Sequence, residues 1–244
     1  MYQFFVEPDQ VAENIIRIEG SDVNHIRNVL RMKNGEKIRI SDKSGMSYFC
    51  HIENVTENEV IATIDEKDSL GTELPNRIVL FQGLPKSDKM ELIIQKAVEL
   101  GVYKIIPVGM KNCVVKLEAK KAASKCTRWQ AISESAAKQS KRTLIPEIGL
   151  PVSWNEALKQ AGELDVVLVP YENERGMEAT RETIKSIQPG QTIGIMIGPE
   201  GGFADSEIDN LPEKMQRISL GRRILRTETA GMTALSMLVY ELDQ

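Results

Sequence analysis

With 244 residues, 41% hydrophobic and 27% charged, the chain has the composition of a folded protein that buries a substantial core, as one large domain or two smaller ones. No apolar run approaches the roughly 18–20 residues needed to cross a bilayer, and the opening MYQFFVEPDQ lacks a basic start and a long apolar stretch, so neither a membrane span nor a secretory signal is expected. Three widely spaced cysteines, Cys50, Cys113 and Cys126, fit neither a disulfide framework nor a zinc knuckle, and the expectation is a cytoplasmic, metal-free protein.

The first part of the chain reads as short strands and turns. Residues 36–42, 46–53 and 59–65 alternate apolar and polar side chains, with Asn34-Gly35 and Ser44-Gly45 supplying turns. One helical stretch interrupts them, with Ser21-Asp22 as its expected N-cap before Val23, Ile26, Val29 and Leu30. Residues 68–76 are polar, turn-rich and without periodicity, and read as a linker. Two domains follow from this, 1–70 and 76–244.

Beyond the linker, apolar runs at 77–82, 103–108, 165–169, 192–197 and 216–220 alternate with helical patterns. Asp88 and Glu91 form a capping-box variant opening a helix that carries Met90, Ile93, Ile94, Ala97 and Val98 on one face, and Gly101 closes it. Such β–α alternation predicts an α/β domain with a mostly parallel sheet covered on both faces.

Charge is distributed unevenly. Residues 1–75 hold 8 basic against 14 acidic side chains and residues 143–244 hold 9 against 16, whereas 111–142 hold 9 against 2. Such a basic segment in an acidic chain is the footprint of a docking polyanion, or simply a solvated lysine-rich face. Wound as one helix over 119–142, the segment puts Lys121, Lys125, Arg128, Ser135, Gln139 and Arg142 on one face. Ala122, Cys126, Trp129, Ser133, Ala136 and Ser140 line the adjacent one, where Trp129 is expected to pack in the core.

Two segments can carry chemistry. Ile197-Gly-Pro-Glu-Gly-Gly-Phe203 follows an apolar run and precedes a helical pattern, where α/β sheets bind ligands, yet it matches neither the dinucleotide nor the phosphate-loop signature. Residues Leu220–Ala230 carry Arg222, Arg223 and Arg226 ahead of a helix, with Glu228 placed to pair with an arginine or accept a proton. The dipole of that helix accounts for Glu228 but not for three arginines at its positive end. Only His25 and His51 exist, both in the N-terminal part, so a histidine-based triad in the α/β part is excluded.

Taken in order, KSDKMELIIQKAVELG (86–101), Arg128-Trp129 with ESAAKQSKR (134–142) and Pro146, IGPEGGF (197–203) and LGRRILRTETA (220–230) resemble the ribosomal small-subunit methyltransferase E family. HIRNVLR (25–31) is similar to that family's small-domain signature, so the resemblance spans nearly the whole chain. It implies a PUA-like N-terminal β-barrel, a trefoil-knotted SPOUT α/β domain and a homodimer. It also implies methyl transfer from S-adenosylmethionine to N3 of one uridine in 16S ribosomal RNA of the small ribosomal subunit.

Carried over, the cofactor loops are Leu168, Val169, Pro170 and Tyr171; Ile197, Gly198, Pro199, Glu200, Gly201 and Gly202; and Leu220, Gly221, Ile224, Leu225, Arg226 and Thr227. RNA contacts are expected from Arg27, Arg31, Lys86, Lys125, Arg128, Lys138, Arg142, Arg222 and Arg223, with steep salt dependence. Two positions depart from the family pattern: Gln3 stands where an arginine is usual, and Ala204 stands where a serine often opens the next helix, leaving Asp205 to cap.

Two catalytic readings stand side by side. In one, Glu228 takes the N3 proton while Arg226 or Arg142 stabilises charge on the base. In the other, which we favour, Glu228 only orients an arginine and a fixed cationic environment acidifies N3. The alternatives to the whole reading are a related SPOUT enzyme acting on a ribose 2′-oxygen or on transfer RNA, and a non-enzymatic ribosome-assembly factor.

Overall fold

The computed structural model describes residues 1–243 and comprises two compact units. One is Met1–Glu73 with Ala137–Ile145, and the other is Leu74–Ala136 with the chain from Pro146 onward.

The N-terminal unit contains β1 (Tyr2–Phe5), β2 (Ile15–Glu19), α1 (Ser21–Asn24), β3 (Lys37–Ser41), β4 (Ser47–Val55) and β5 (Glu59–Asp68). The strands form one sheet in the order β1-β3-β4-β5-β2, antiparallel except for the β1–β3 pair. Period-two alternation sends Phe4, Ile16, Ile18, Ile38, Ile40, Cys50, Ile52, Val60 and Ala62 into a single core, so the sheet curls around it as a half-barrel. Register shifts at Phe49/Cys50 and Ile52/Asn54 bend β4 to follow that curve.

The expected Ser21-Asp22 cap is not formed. Gly20, at φ 73°, is the N-cap of α1, and Asp22 instead accepts Lys138 Nζ at 3.1 Å. The helix widens into a π-turn over His25–Val29.

The second unit runs β6 (Arg77–Gly83), α2 (Lys89–Glu99), β7 (Lys104–Gly109), α3 (Ala119–Ser140, whose last turn from Ala137 belongs to the first unit), β8 (Glu147–Ile148), β9 (Val152–Ser153) and α4 (Trp154–Gly162). It continues with β10 (Val166–Pro170), α5 (Glu178–Lys185), β11 (Thr192–Ile197), α6 (Asp205–Ile208), β12 (Met215–Ile218) and α7 (Thr227–Leu242). Every strand pair is parallel, in the order β12-β10-β11-β6-β7-β8, with β9 also on β7. Ile78, Leu80, Ile105, Val167, Leu168, Ile193 and Ile195 are fully buried, as strands covered on both faces require.

Helix ends follow the physics of capping with some changes of partner. Gly101, at φ 84°, ends α2 as expected. At the other end Asp88 makes no side-chain cap, its backbone (φ −91°, ψ 11°) not being the extended one a capping residue adopts, and Glu91 pairs with Arg128, 2.8 Å away. Asp205 does not cap α6 either: Ala204 is the N-cap, and its N–H donates to the Glu207 carboxylate at 2.9 Å.

Helix α3 buries Ala122, Cys126, Trp129 (3% exposed), Ser133 and Ala136 and exposes Lys121, Lys125, Arg128, Ser135 and Gln139. Arg142 is the exception. Lys141 takes a left-handed conformation (φ 63°), the helix stops at Ser140, and Arg142 turns off the basic face into the N-terminal unit, where it is 3% exposed. There its guanidinium pairs with Glu73, its carbonyl accepts Gln3 Nε2, and Thr143 N–H donates to Glu73 at 2.8 Å.

No helix among the described residues is long and apolar enough to cross a membrane, and among them no cluster of three or more His, Cys, Asp or Glu is placed to hold a metal. All three cysteines are free and buried, and burial pushes the Cys50 thiol up to about 12.

Candidate functional site

Because all strands of the second sheet run in one direction, β6, β10, β11 and β12 end at the same edge. The loops leaving β10, β11 and β12 meet there around a cavity of about 390 Å³, within the range of small-molecule sites.

The glycine turn after β11 forms one wall. Gly202 N–H donates to Pro199 O at 2.9 Å and Gly202 sits at φ 66°, a conformation glycine adopts without strain. A side chain on Gly198 would meet Gly202 C at 3.1 Å and Phe203 N at 3.2 Å, so the turn folds tightly upon itself. From outside, Asn112 Nδ2 donates to the carbonyls of Gly201 and Gly202 at 3.0 and 3.3 Å.

The turn is tied to its neighbours by buried polar contacts. Thr227 Oγ1, at the start of α7, donates to Gly198 O at 2.6 Å and accepts from Gln82 Nε2 at 2.9 Å. The last residue of β6, Gly83, lies so close that a Cβ there would stand 2.7 Å from Pro199 N. Neither Gln82 nor Gly83 is marked by any local signal, since both read as ordinary strand residues.

An ion trio borders the cavity. Lys89 Nζ lies 2.9 Å from Glu200 and 3.4 Å from Glu228 Oε2, and Lys86 N–H donates to Glu200 Oε1 at 3.0 Å. The hydrogen bond to Glu200, with the charges of Glu200 and Glu228, raises the Lys89 pKa despite partial burial. Burial works against the Glu200 charge, but the bonds from Lys89 and from the N–H groups of Glu200 and Lys86 outweigh it and lower its pKa.

The Glu200 contribution is complete above the ordinary value of 4.5 and is lost as pH falls through its lowered native value. The Lys89 contribution is complete below the ordinary 10.5 and is lost as pH rises through its raised value. Hydrogen exchange of the Gly198–Phe203 amides, corrected for intrinsic rate, is therefore expected to show constant protection between those limits. Loss of protection near neutrality would contradict the trio.

Of the expected cofactor residues, Pro170, Tyr171, Ile197, Gly198, Pro199, Glu200, Gly202, Leu220, Gly221, Ile224, Leu225, Arg226 and Thr227 line the cavity. Leu168 and Val169 do not: both are fully buried within β10. Gly201 lies on the outer side, toward Asn112. Lys89, Glu172, Arg175, Phe203 and Ala230 also line it, without having been singled out by the sequence pattern.

Among the catalytic candidates, Arg226 faces the cavity, while Glu228 is turned to Lys89 rather than to an arginine, with its side chain 15% exposed. Arg142 is engaged with Glu73. Arg222 and Arg223 border the cavity and are exposed. Lys86 and Lys125 are exposed as well, the latter 5.7 Å over the Trp129 ring, and Arg128 pairs with Glu91. In the N-terminal unit Arg31 is exposed, Arg27 pairs with Glu57 at 3.1 Å and Lys138 with Asp22.

The donor set fits S-adenosylmethionine. Gly202 presents backbone without a side chain, Ile197, Leu220 and Leu225 offer apolar surface, and Glu200 and Glu172 place carboxylates where a cationic ligand would lie.

Comparison with known proteins gives the same direction. An RNA methyltransferase domain family matches residues 72–239, and an RNA methyltransferase PUA domain family matches residues 18–65. Ribosomal RNA small subunit methyltransferase E of Bacillus subtilis (strain 168) is 36% identical over 100% of this chain and 98% of its own. The protein of that name from Mesomycoplasma hyopneumoniae (strain 232) is 36% identical over 99% of this chain and 100% of its own. A solved Neisseria gonorrhoeae ribosomal RNA small subunit methyltransferase E bound to S-adenosylmethionine superimposes with a TM-score of 0.83, at 30% identity, covering 98% of this chain and 97% of that one.

Proposed function

Since the chain belongs to the ribosomal RNA small subunit methyltransferase E family, it is an S-adenosylmethionine-dependent ribosomal RNA methyltransferase, and we propose that it methylates N3 of one uridine in 16S RNA of the small subunit. The observation that supports this reading is the cavity itself: three loops at one sheet edge, with a glycine turn on one wall and Arg222, Arg223 and Arg226 on another. In this reading residues 1–70 are the RNA-binding PUA-like domain and 76–244 the knotted SPOUT-type catalytic domain, working in the cytoplasm as a homodimer.

The cofactor supplies, when bound, a methyl group on a positively charged sulfur, transferred to nitrogen with the carbon–sulfur electron pair returning to sulfur. The protein's part is placement and charge. Ile197–Gly202 and Leu220–Thr227 hold the ligand through backbone and apolar contact, in a geometry fixed by Thr227, Gln82 and Asn112. N3 lies on the pairing edge of uracil, so the base enters unpaired or flipped out of its stack. Ile224, an apolar side chain 81% exposed at the cavity, offers it a surface. Arg226 and the neighbouring arginines favour the negative charge that develops on the ring.

The test is to incubate the protein with small-subunit RNA and S-adenosylmethionine and locate the added methyl by mass spectrometry. N3-methyluridine in 16S RNA is the expected product. A methyl on a ribose 2′-oxygen or on transfer RNA overturns the target assignment, and RNA binding with no methylation and no cofactor affinity would favour an assembly factor.

A further inference from the structure

Loss of the N3 proton leaves an electron pair that spreads over the nitrogen and the two flanking carbonyl oxygens. The N3–H bond breaks, the proton passes to water, and the pair left on the ring forms the bond to the methyl carbon. A site for this reaction gains most from a donor already fixed where those oxygens will sit, because a fixed donor needs no reorganisation as charge appears.

The cavity has several cations, but they differ in how they are held. Arg222, Arg223 and Arg226 are exposed at its mouth. Lys89 is half-buried, with a side chain 29% exposed, and its ammonium is gripped from two elements: by Glu200 of the glycine turn at 2.9 Å and by Glu228 of α7 at 3.4 Å. An ammonium has three N–H donors and two carboxylates face this one, so a third donor remains for the cavity that Lys89 lines. Glu228 Oε2 is itself buried without a hydrogen bond, its position explained by the ionic contact to Lys89.

Resting on the reading of the site as a uracil-N3 methyltransferase, we propose that Lys89 is a catalytic residue that donates a hydrogen bond to a carbonyl oxygen beside N3 as the ring loses its proton, with Glu200 and Glu228 as positioning residues that aim it. A protonated lysine is no base, so the proton leaves to solvent. Two carboxylates around one ammonium leave the trio with one negative charge, and the arginines at the mouth offset it. The trio therefore acts through a directed bond rather than through net charge.

Lys89→Met tests this with two readouts. The glycine turn keeps its ties to Lys86, Asn112 and Thr227, and loss of a cation does not weaken affinity for a cationic ligand. S-adenosylmethionine affinity should thus change by less than about threefold while kcat falls by about a hundredfold or more, the scale of removing one oxyanion donor. Lys89→Arg should recover part of the rate. RNA carrying 5-fluorouracil at the target, whose N3–H is more acidic, should shrink the deficit of Lys89→Met at least tenfold.

An unchanged kcat overturns the proposal. So does an equal deficit on both RNAs with a parallel loss of cofactor affinity, which would make Lys89 only a fastening for the turn. If wild-type protein yields no N3-methyluridine in the same assay, the underlying reading fails, and that outcome is visible separately.

Discussion

Replacing Arg142 by methionine is expected to destabilise the N-terminal unit by about 3–5 kcal/mol, the scale of breaking a buried ion pair from one side. Arg142 is 3% exposed, and removing its guanidinium deprives the Glu73 carboxylate of the donor at 3.1 Å from Arg142 Nε and leaves it only Thr143, whose N–H donates at 2.8 Å. The measurement is a denaturant titration of wild type, Arg142→Met, and Arg142→Met with Glu73→Leu. The double variant should regain most of the loss, because a pair of apolar groups leaves no buried charge. A single variant within about 0.5 kcal/mol of wild type would show the pair to be solvated in solution. The double variant also separates two roles. If it recovers stability and turnover together, Arg142 is a structural residue; if stability returns without turnover, the sequence-based expectation of a catalytic arginine gains support.

Gly83→Ala is the second large effect. Its added methyl group would stand 2.7 Å from Pro199 N and 2.8 Å from Pro199 Cδ, against backbone and ring rather than a flexible side chain. Overpacking of this kind costs about 1–3 kcal/mol. Asn112 holds the turn from outside, so a displacement of Pro199 is expected to reach the cavity and the cost to appear as weaker S-adenosylmethionine binding, about 5- to 150-fold. Gly109→Ala, at the end of the neighbouring β7, is the control, since its new contact is an ordinary 3.6 Å to Val152 O. Calorimetric titration of both should show the loss in the first alone. Equal affinity for Gly83→Ala and wild type would mean that Pro199 does not bound the ligand site. Gly201, one of the expected cofactor-loop positions, is a weaker probe because it faces Asn112 on the outer side.

What could be read from sequence was what is written locally. The period-two runs at 36–42, 46–53 and 59–65 became β3, β4 and β5, and the apolar runs beyond residue 76 became the parallel strands. Strand β1, with the sequence YQFF and three consecutive buried residues, carries no alternation for a period to show. Of the loop segments around the cavity, Ile197–Phe203 and Leu220–Ala230 stood out by their glycines and arginines, and Leu168–Tyr171 came from resemblance alone. Gln82, Gly83 and Lys89 escaped because their meaning lies in partners more than 100 residues away: Thr227, Pro199 and Glu200. Arg142 was misplaced for a local reason, since a helical wheel holds only while the helix continues, and the left-handed Lys141 ends it.

The N-terminal unit is not one stretch of chain. Gln3, Asp22 and Glu73 find their partners in Arg142 and Lys138, which belong to a segment made some seventy or more residues after the strands are complete. During synthesis at about 5–20 residues per second, the nascent sheet must wait several seconds with those groups unsatisfied before its closing segment emerges. The unit begun first thus closes only after β6, α2, β7 and most of α3 have been made. A fragment cut at the apparent linker, residues 1–75, should accordingly behave as a loosened sheet, with backbone protection restored when a peptide spanning 137–145 is added.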